Sequence, residues 1–192
     1  NNIRLVSTQT ISKIDKSAPT APTVTGNPTE WTNSNITLTA ASTDSASGVA
    51  AYSFSTTEGA YAWQTGKTKT VSANTTYYVY AKDNSGNISA AKTVHVNKID
   101  KTAPSVPTVS YDSEAWANTD VTLTASSTDS ESGIAQYSFS SKADEYEWQT
   151  EDYKIVSEVS TIYISAKDNA GNISEPYEVN LNIDKVSPDG SV

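Results

Sequence analysis

Three aspartates, Asp15, Asp44 and Asp83, return 85 positions later as Asp100, Asp129 and Asp168 in this chain of 192 residues. Their chemistry is that of oxygen donors. A hard cation such as Ca²⁺ takes about six to eight oxygens from carboxylates, amide oxygens and backbone carbonyls. Asn84, Asn87, Asn169 and Asn172 stand beside two of the six aspartates and bring amide oxygens within reach. A second reading applies to the same residues. Asp-Asn-x-Gly is a turn sequence in its own right, and Asp44 and Asp129 suit a loop cap. No dense Asp-x-Asp-x-Asp loop occurs, so a calcium site would have to be assembled from separate segments.

Other chemistries find little to work with. The one histidine, His95, is matched 85 positions later by Asn180, so no Ser-His-Asp arrangement is duplicated. Asp144 with Glu145, and Glu151 with Asp152, read as a solvated acidic hairpin rather than a buried acid–base pair. There is no cysteine, no phosphate-cradling glycine loop and no His/Cys metal cluster. These absences point away from an enzyme. A formal charge of −9 and a pI near 4.5 repel a phosphate backbone, which excludes nucleic acid as a partner. No run approaches the ~20 apolar residues that span a bilayer, so no membrane insertion is expected here.

The aromatics divide by recurrence. Tyr52, Trp31 and Trp63 return as Tyr137, Trp116 and Trp148, and residues that pack the same fold twice read as core. Tyr80, Tyr111, Tyr153 and Tyr177 do not return, which makes them the better candidates for a ligand platform, although they fall on different elements. Lys82 and Lys167 raise a Lys–Asn isopeptide bond, but their phase in the strand favours a solvated lysine.

The elements that must carry these residues are strands. Ile36, Leu38 and Ala40 alternate with Thr37 and Thr39, and Val121, Leu123 and Ala125 do the same in the second copy. A turn at Asp44–Gly48 leads to a strand with Ala50, Tyr52 and Phe54 on one face. Tyr77, Val79 and Ala81 then point inward, until the strand breaks at Asp83–Asn87. A last strand carries Val94 and Val96. The copies align without a gap from Asp15 to Val96 and from Asp100 to Leu181, with about half of the positions identical. A unit of this size is a small domain with its own core, not a solenoid repeat.

Three copies of one junction frame the units: Ile14-Asp15-Lys16-Ser17-Ala18-Pro19, Ile99-Asp100-Lys101-Thr102-Ala103-Pro104 and Ile183-Asp184-Lys185-Val186-Ser187-Pro188. The expected organisation is residues 1–14 as the end of an upstream repeat or linker, 15–98 and 99–183 as two domains, and 184–192 as the start of a downstream repeat or linker. Proline without glycine stiffens the connection.

With the junction, Trp31-Thr32-Asn33, Asp44 to Gly48 followed by Tyr52, and Tyr77–Asp83 running into Gly86-Asn87, nearly the whole chain resembles the tandem Ig-like, fibronectin-III-like repeats of large bacterial cell-surface proteins. The resemblance implies two seven-strand antiparallel β-sandwiches, an all-β chain. One departure is Tyr77, a candidate for the tyrosine corner of such sandwiches, which becomes Ile162 in the second copy.

In a seven-strand sandwich the start of strand A, the B–C loop and the F–G loop share one pole. That would gather Asp15, Asp44 and Asp83 in one domain and Asp100, Asp129 and Asp168 in the other, where Ca²⁺ would stiffen the junction. The expected role is a spacer or stalk in an adhesin-like protein at the surface or cell wall of a Gram-positive bacterium. Two domains would reach on the order of 60–80 Å. Its partners would be neighbouring repeats. The alternative is a module that binds carbohydrate or host protein, including one accessory to a secreted glycanase.

Overall fold

Among the described residues, period-two alternation builds fourteen strands, seven in each copy. The computed structural model describes residues 13–112 and 116–187. Most of the expected flanking repeats, at 1–12 and 188–192, lies outside the described residues. The first copy holds β1 (Thr23–Thr25), β2 (Ile36–Ala41), β3 (Val49–Ser55), β4 (Trp63–Gln64), β5 (Thr68–Val71), β6 (Thr75–Asp83) and β7 (Lys92–Val96). The second repeats the series as β8 (Thr108–Ser110), β9 (Val121–Ser126), β10 (Ile134–Ser140), β11 (Trp148–Gln149), β12 (Tyr153–Val156), β13 (Ser160–Asp168) and β14 (Tyr177–Leu181).

Each copy makes a three-stranded sheet, β1-β2-β5 or β8-β9-β12, and a four-stranded sheet, β4-β3-β6-β7 or β11-β10-β13-β14. Every pairing between these strands is antiparallel. The short fourth strand joins the C strand and leaves the A-B-E sheet with three members, unlike the A-B-E-D sheet of a constant-type Ig domain. Each copy is therefore a seven-strand antiparallel β-sandwich of fibronectin-III-like arrangement.

By spatial contact the chain divides into two compact units. One takes the chain up to Asn27 together with Ile36–Asn97; the other takes Pro28–Asn35 together with the chain from Lys98 onward. In the second unit Thr32 forms a parallel bridge with Ile99, as Ala117 does with Ile183.

The inward rows are those that the alternation marks. Leu38, Ala40, Val79 and Ala81 are wholly buried in the first copy, as are Leu123, Ile164 and Ala166 in the second. The second core joins Val121, Leu123 and Val156 from one sheet to Phe139, Ile164 and Val179 from the other. Each buried aliphatic or aromatic side chain contributes about 1.5–3 kcal/mol relative to exposure.

The aromatics depart from the reading by recurrence. Trp116 is 68 % exposed rather than core, although its counterpart Trp31 is half-buried. Tyr80, singled out for a surface, is only 5 % exposed, and its hydroxyl accepts a hydrogen bond from the Gly59 amide at 2.9 Å. Tyr111 packs half-buried against the second core.

Candidate functional site

The pole of each sandwich where strand A begins is held by a clip of hydroxyls. In the first copy the Thr20 amide donates to the Thr43 carbonyl at 2.9 Å, the Thr43 amide to Thr20 Oγ1 at 3.0 Å, and Ser42 Oγ to the Thr20 carbonyl at 2.6 Å. Ser105, Thr128 and Ser127 repeat the three bonds in the same order at 3.0, 3.0 and 2.6 Å. The hydroxyls of Tyr52 and Tyr137 brace the same loop, accepting from the amides of Ser42 and Ser127 at 3.0 Å each. The start of the chain segment is thereby laid against the B–C loop.

Each loop aspartate then caps its own turn. Asp44 Oδ1 accepts from the amides of Ala46, Ser47 and Gly48 at 3.2, 2.8 and 2.8 Å. Asp129 Oδ1 accepts from Glu131, Ser132 and Gly133 at 3.1, 2.8 and 2.8 Å. At the end of β6, Asp83 Oδ1 takes the amides of Ser85 and Asn87 at 2.9 and 2.8 Å. Asp168 Oδ1 takes the Asn172 amide at 2.8 Å. Gly86 and Gly171, with φ of +93° and +92°, supply the left-handed residue that folds these turns back.

The three segments meet. One carboxylate oxygen from each of Asp15, Asp44 and Asp83 lies within 4.8 Å of the other two, and the same holds for Asp100, Asp129 and Asp168. Asp83, Asp100 and Asp168 are buried; Asp15, Asp44 and Asp129 are half-buried. Among the described residues none of the six takes part in an ion pair.

The asparagines turn out to be fasteners that offer N–H rather than oxygen. Asn87 Nδ2 donates to Asp83 Oδ2 at 2.7 Å and to the Asp15 carbonyl at 3.3 Å. Asn172 Nδ2 does the same for Asp168 and Asp100 at 2.7 and 3.1 Å. Asn84 and Asn169 tie the F–G turn to the B–C loop through the carbonyls of Ser47 and Ser132, at 2.7 and 2.8 Å.

The local electrostatics follow from these contacts. Burial alone would raise the Asp83 pKa, but hydrogen bonds from the Asn87 side chain and the amides of Asn87, Ser85 and Gly86 outweigh it and hold the value low. Asp100 is also held low: burial opposes this, and bonds from Ser132, Thr102 and Glu131 win. Glu131 moves the other way, raised by burial, by the Asp100 charge and hydrogen bond, and by the Asp129 charge.

Three features escaped the sequence reading. The hydroxyls of Ser47 and Ser132, beside the clusters, are buried atoms without a hydrogen-bond partner, and so is Asp15 Oδ2. Glu131 stands at the second cluster where the first has Ala46. The third feature is aromatic. Tyr61 stacks on Trp63 with ring centroids 5.1 Å apart, and Lys82 Nζ lies 4.6 Å from the Trp63 centroid. Tyr146, Trp148 and Lys167 repeat the arrangement at 5.0 and 4.4 Å. Recurrence of Tyr61 as Tyr146 was the available signal. Lys82 and Lys167 are thus engaged with tryptophan rather than freely solvated. Tyr153 and Tyr177 are exposed but lie on β12 and β14, in different sheets, and make no shared platform.

No protein-family model matches the chain, and no curated protein matches it. Solved structures do. The fibronectin(III)-like modules of CbhA from Clostridium thermocellum are 17% identical, over 88% of this chain and 100% of that one, with a TM-score of 0.41. The D00-D0 domain of intimin is 12% identical, over 84% and 98%, at a TM-score of 0.37. Chitinase ChiA74 from Bacillus thuringiensis is 17% identical over 88% of this chain and 30% of that one, at a TM-score of 0.37. The chain thus spans less than a third of the chitinase. At these identities and TM-scores the likenesses carry no argument about function.

Proposed function

We propose that this chain is a non-catalytic structural segment of an extracellular, cell-surface protein. Its two sandwiches serve as a spacer, and each acidic cluster holds Ca²⁺ where its sandwich begins. The observation that supports the reading is the repetition of the whole pole. Both copies spend the same serine, threonine, tyrosine and asparagine positions on drawing three chain segments together, and both leave three carboxylates facing one another without a cationic side chain. A divalent ion supplies the charge and the oxygen-only coordination that such a trio lacks. His95, the one side chain suited to proton transfer near neutral pH, is exposed, and its Nδ1 lies 3.0 Å from Thr76 Oγ1. In this reading the segment's neighbours are further repeats of the same kind, at the surface or cell wall of a Gram-positive bacterium.

Small-angle scattering with Ca²⁺ and with chelator tests the spacer directly. An extended, rod-like profile that stiffens with Ca²⁺ is expected; a compact profile indifferent to the ion would overturn the reading. A second function has a specific observation behind it. The Tyr61–Trp63 and Tyr146–Trp148 stacks, each an exposed tyrosine on a half-buried tryptophan, are the kind of surface on which a sugar ring packs, as in a carbohydrate-binding module. Saturable retention on a glycan array, lost in Tyr61→Ala with Tyr146→Ala, would favour that module over a bare spacer.

A further inference from the structure

The two poles are built alike but not charged alike. Where the first B–C loop reads Asp44-Ser45-Ala46-Ser47-Gly48, the second reads Asp129-Ser130-Glu131-Ser132-Gly133. Glu131 has an exposed side chain in the loop that Asp129 caps, and its amide donates to Asp129 Oδ1 at 3.1 Å. The loop at the second cluster therefore carries a carboxylate that the first lacks.

A separate observation points to a ligand. Ser132 is 8 % exposed, and its Oγ has no hydrogen-bond partner. The hydroxyl lies near enough to Asp100 to help hold that carboxyl's pKa low, yet falls outside hydrogen-bond geometry with any acceptor. Buried polar atoms are ordinarily satisfied. A neutral oxygen left unpaired against a group of carboxylates suits a hard cation, which takes hydroxyl and carboxylate oxygens together.

We propose that the two acidic clusters, each with an unpartnered serine hydroxyl beside it, are Ca²⁺ sites of unequal affinity, and that the Asp100–Asp129–Asp168 site, with Glu131 as an added ligand or counter-charge, fills first. The proposal rests on the calcium reading above and goes beyond it by ranking the sites and naming the residue that ranks them. A unit negative charge some 6 Å from a divalent ion changes affinity about tenfold even at the dielectric constant of water.

The test is calorimetric titration of the chelator-stripped full chain with CaCl₂, repeated on Glu131→Gln and Ala46→Glu. Asp129→Asn and Asp15→Asn assign the binding events to the second and first clusters, and circular dichroism verifies that each variant is folded. The expected result is two events about tenfold or more apart. Glu131→Gln should weaken the tighter one about tenfold, and Ala46→Glu should tighten the weaker one. Two events of equal affinity, or a tighter event that Asp129→Asn leaves intact or Glu131→Gln does not weaken, would overturn the ranking while leaving calcium binding in place. Absence of any binding to the folded wild-type chain would overturn the calcium reading itself.

Discussion

Asp83 illustrates how a buried carboxylate survives in a small sandwich. It is withdrawn from water at the end of β6, a position that penalises charge, and Asn87 answers with both its backbone and its side-chain N–H. Asp100 is treated likewise by Thr102 and Ser132. Both folded-state pKa values lie below the ordinary carboxylate value, so the stabilisation they give is fully present above the unfolded-state pKa. It is lost as pH falls through the lowered folded values. In chelator, the urea midpoint should change little through these two groups between pH 7 and 5, and should fall steadily below about pH 4. A midpoint flat down to about pH 2.5 would show that these bonds do not discriminate the charged form. Glu131 has the opposite sign: its raised pKa means that its contribution is favourable in acid and fades as pH rises through the folded value.

At the scale of elements, the sheets carry the stability. Leu123 on β9 is wholly buried within the second core, and Leu123→Ala should cost about 2–5 kcal/mol, read from the shift in urea midpoint at constant m-value. Thr122, its exposed neighbour, should tolerate alanine within about 0.5 kcal/mol. This alternation is what made β2, β6, β9 and β13 legible in the sequence, and the repeat confirmed each parity a second time. The convergence of the aspartates into one trio per sandwich was legible too, because the order of strands places the three loops of each copy at one pole. Other features were hidden for physical reasons. Parity tells which face a residue occupies but not how much cover that face receives, so Trp116 emerges exposed and Tyr80 emerges buried. Side-chain clips such as Asn87 onto the Asp15 carbonyl span 72 positions, and their donor or acceptor sense depends on geometry that no spacing reports. The Tyr61–Trp63–Lys82 stack requires the register of β3 with both β4 and β6.

For the molecule as a whole, a net charge of −9 is a solubility asset and a source of self-repulsion. Ligand that binds only the folded chain stabilises it by about 2.7 kcal/mol at a hundredfold excess over its dissociation constant. For domains of this size that corresponds to a melting temperature about 10–20 °C higher in Ca²⁺ than in chelator, measured by scanning calorimetry. Mg²⁺ at the same concentration should do much less, since it demands tighter octahedral geometry and dehydrates reluctantly. Equal melting in Ca²⁺ and chelator would leave the clusters as turn caps alone. The most consequential residue is Asp100, which is held by its two ends. Its amide donates to the Thr32 carbonyl at 2.9 Å, while its carboxylate stands among Asp129, Asp168 and Ser132. Tension drawn along the polypeptide has to pass through this residue. Fastened there to both a backbone bridge and a cation, the chain would yield only when pulled hard, so the ion would act as a rivet whose presence is felt in rupture force.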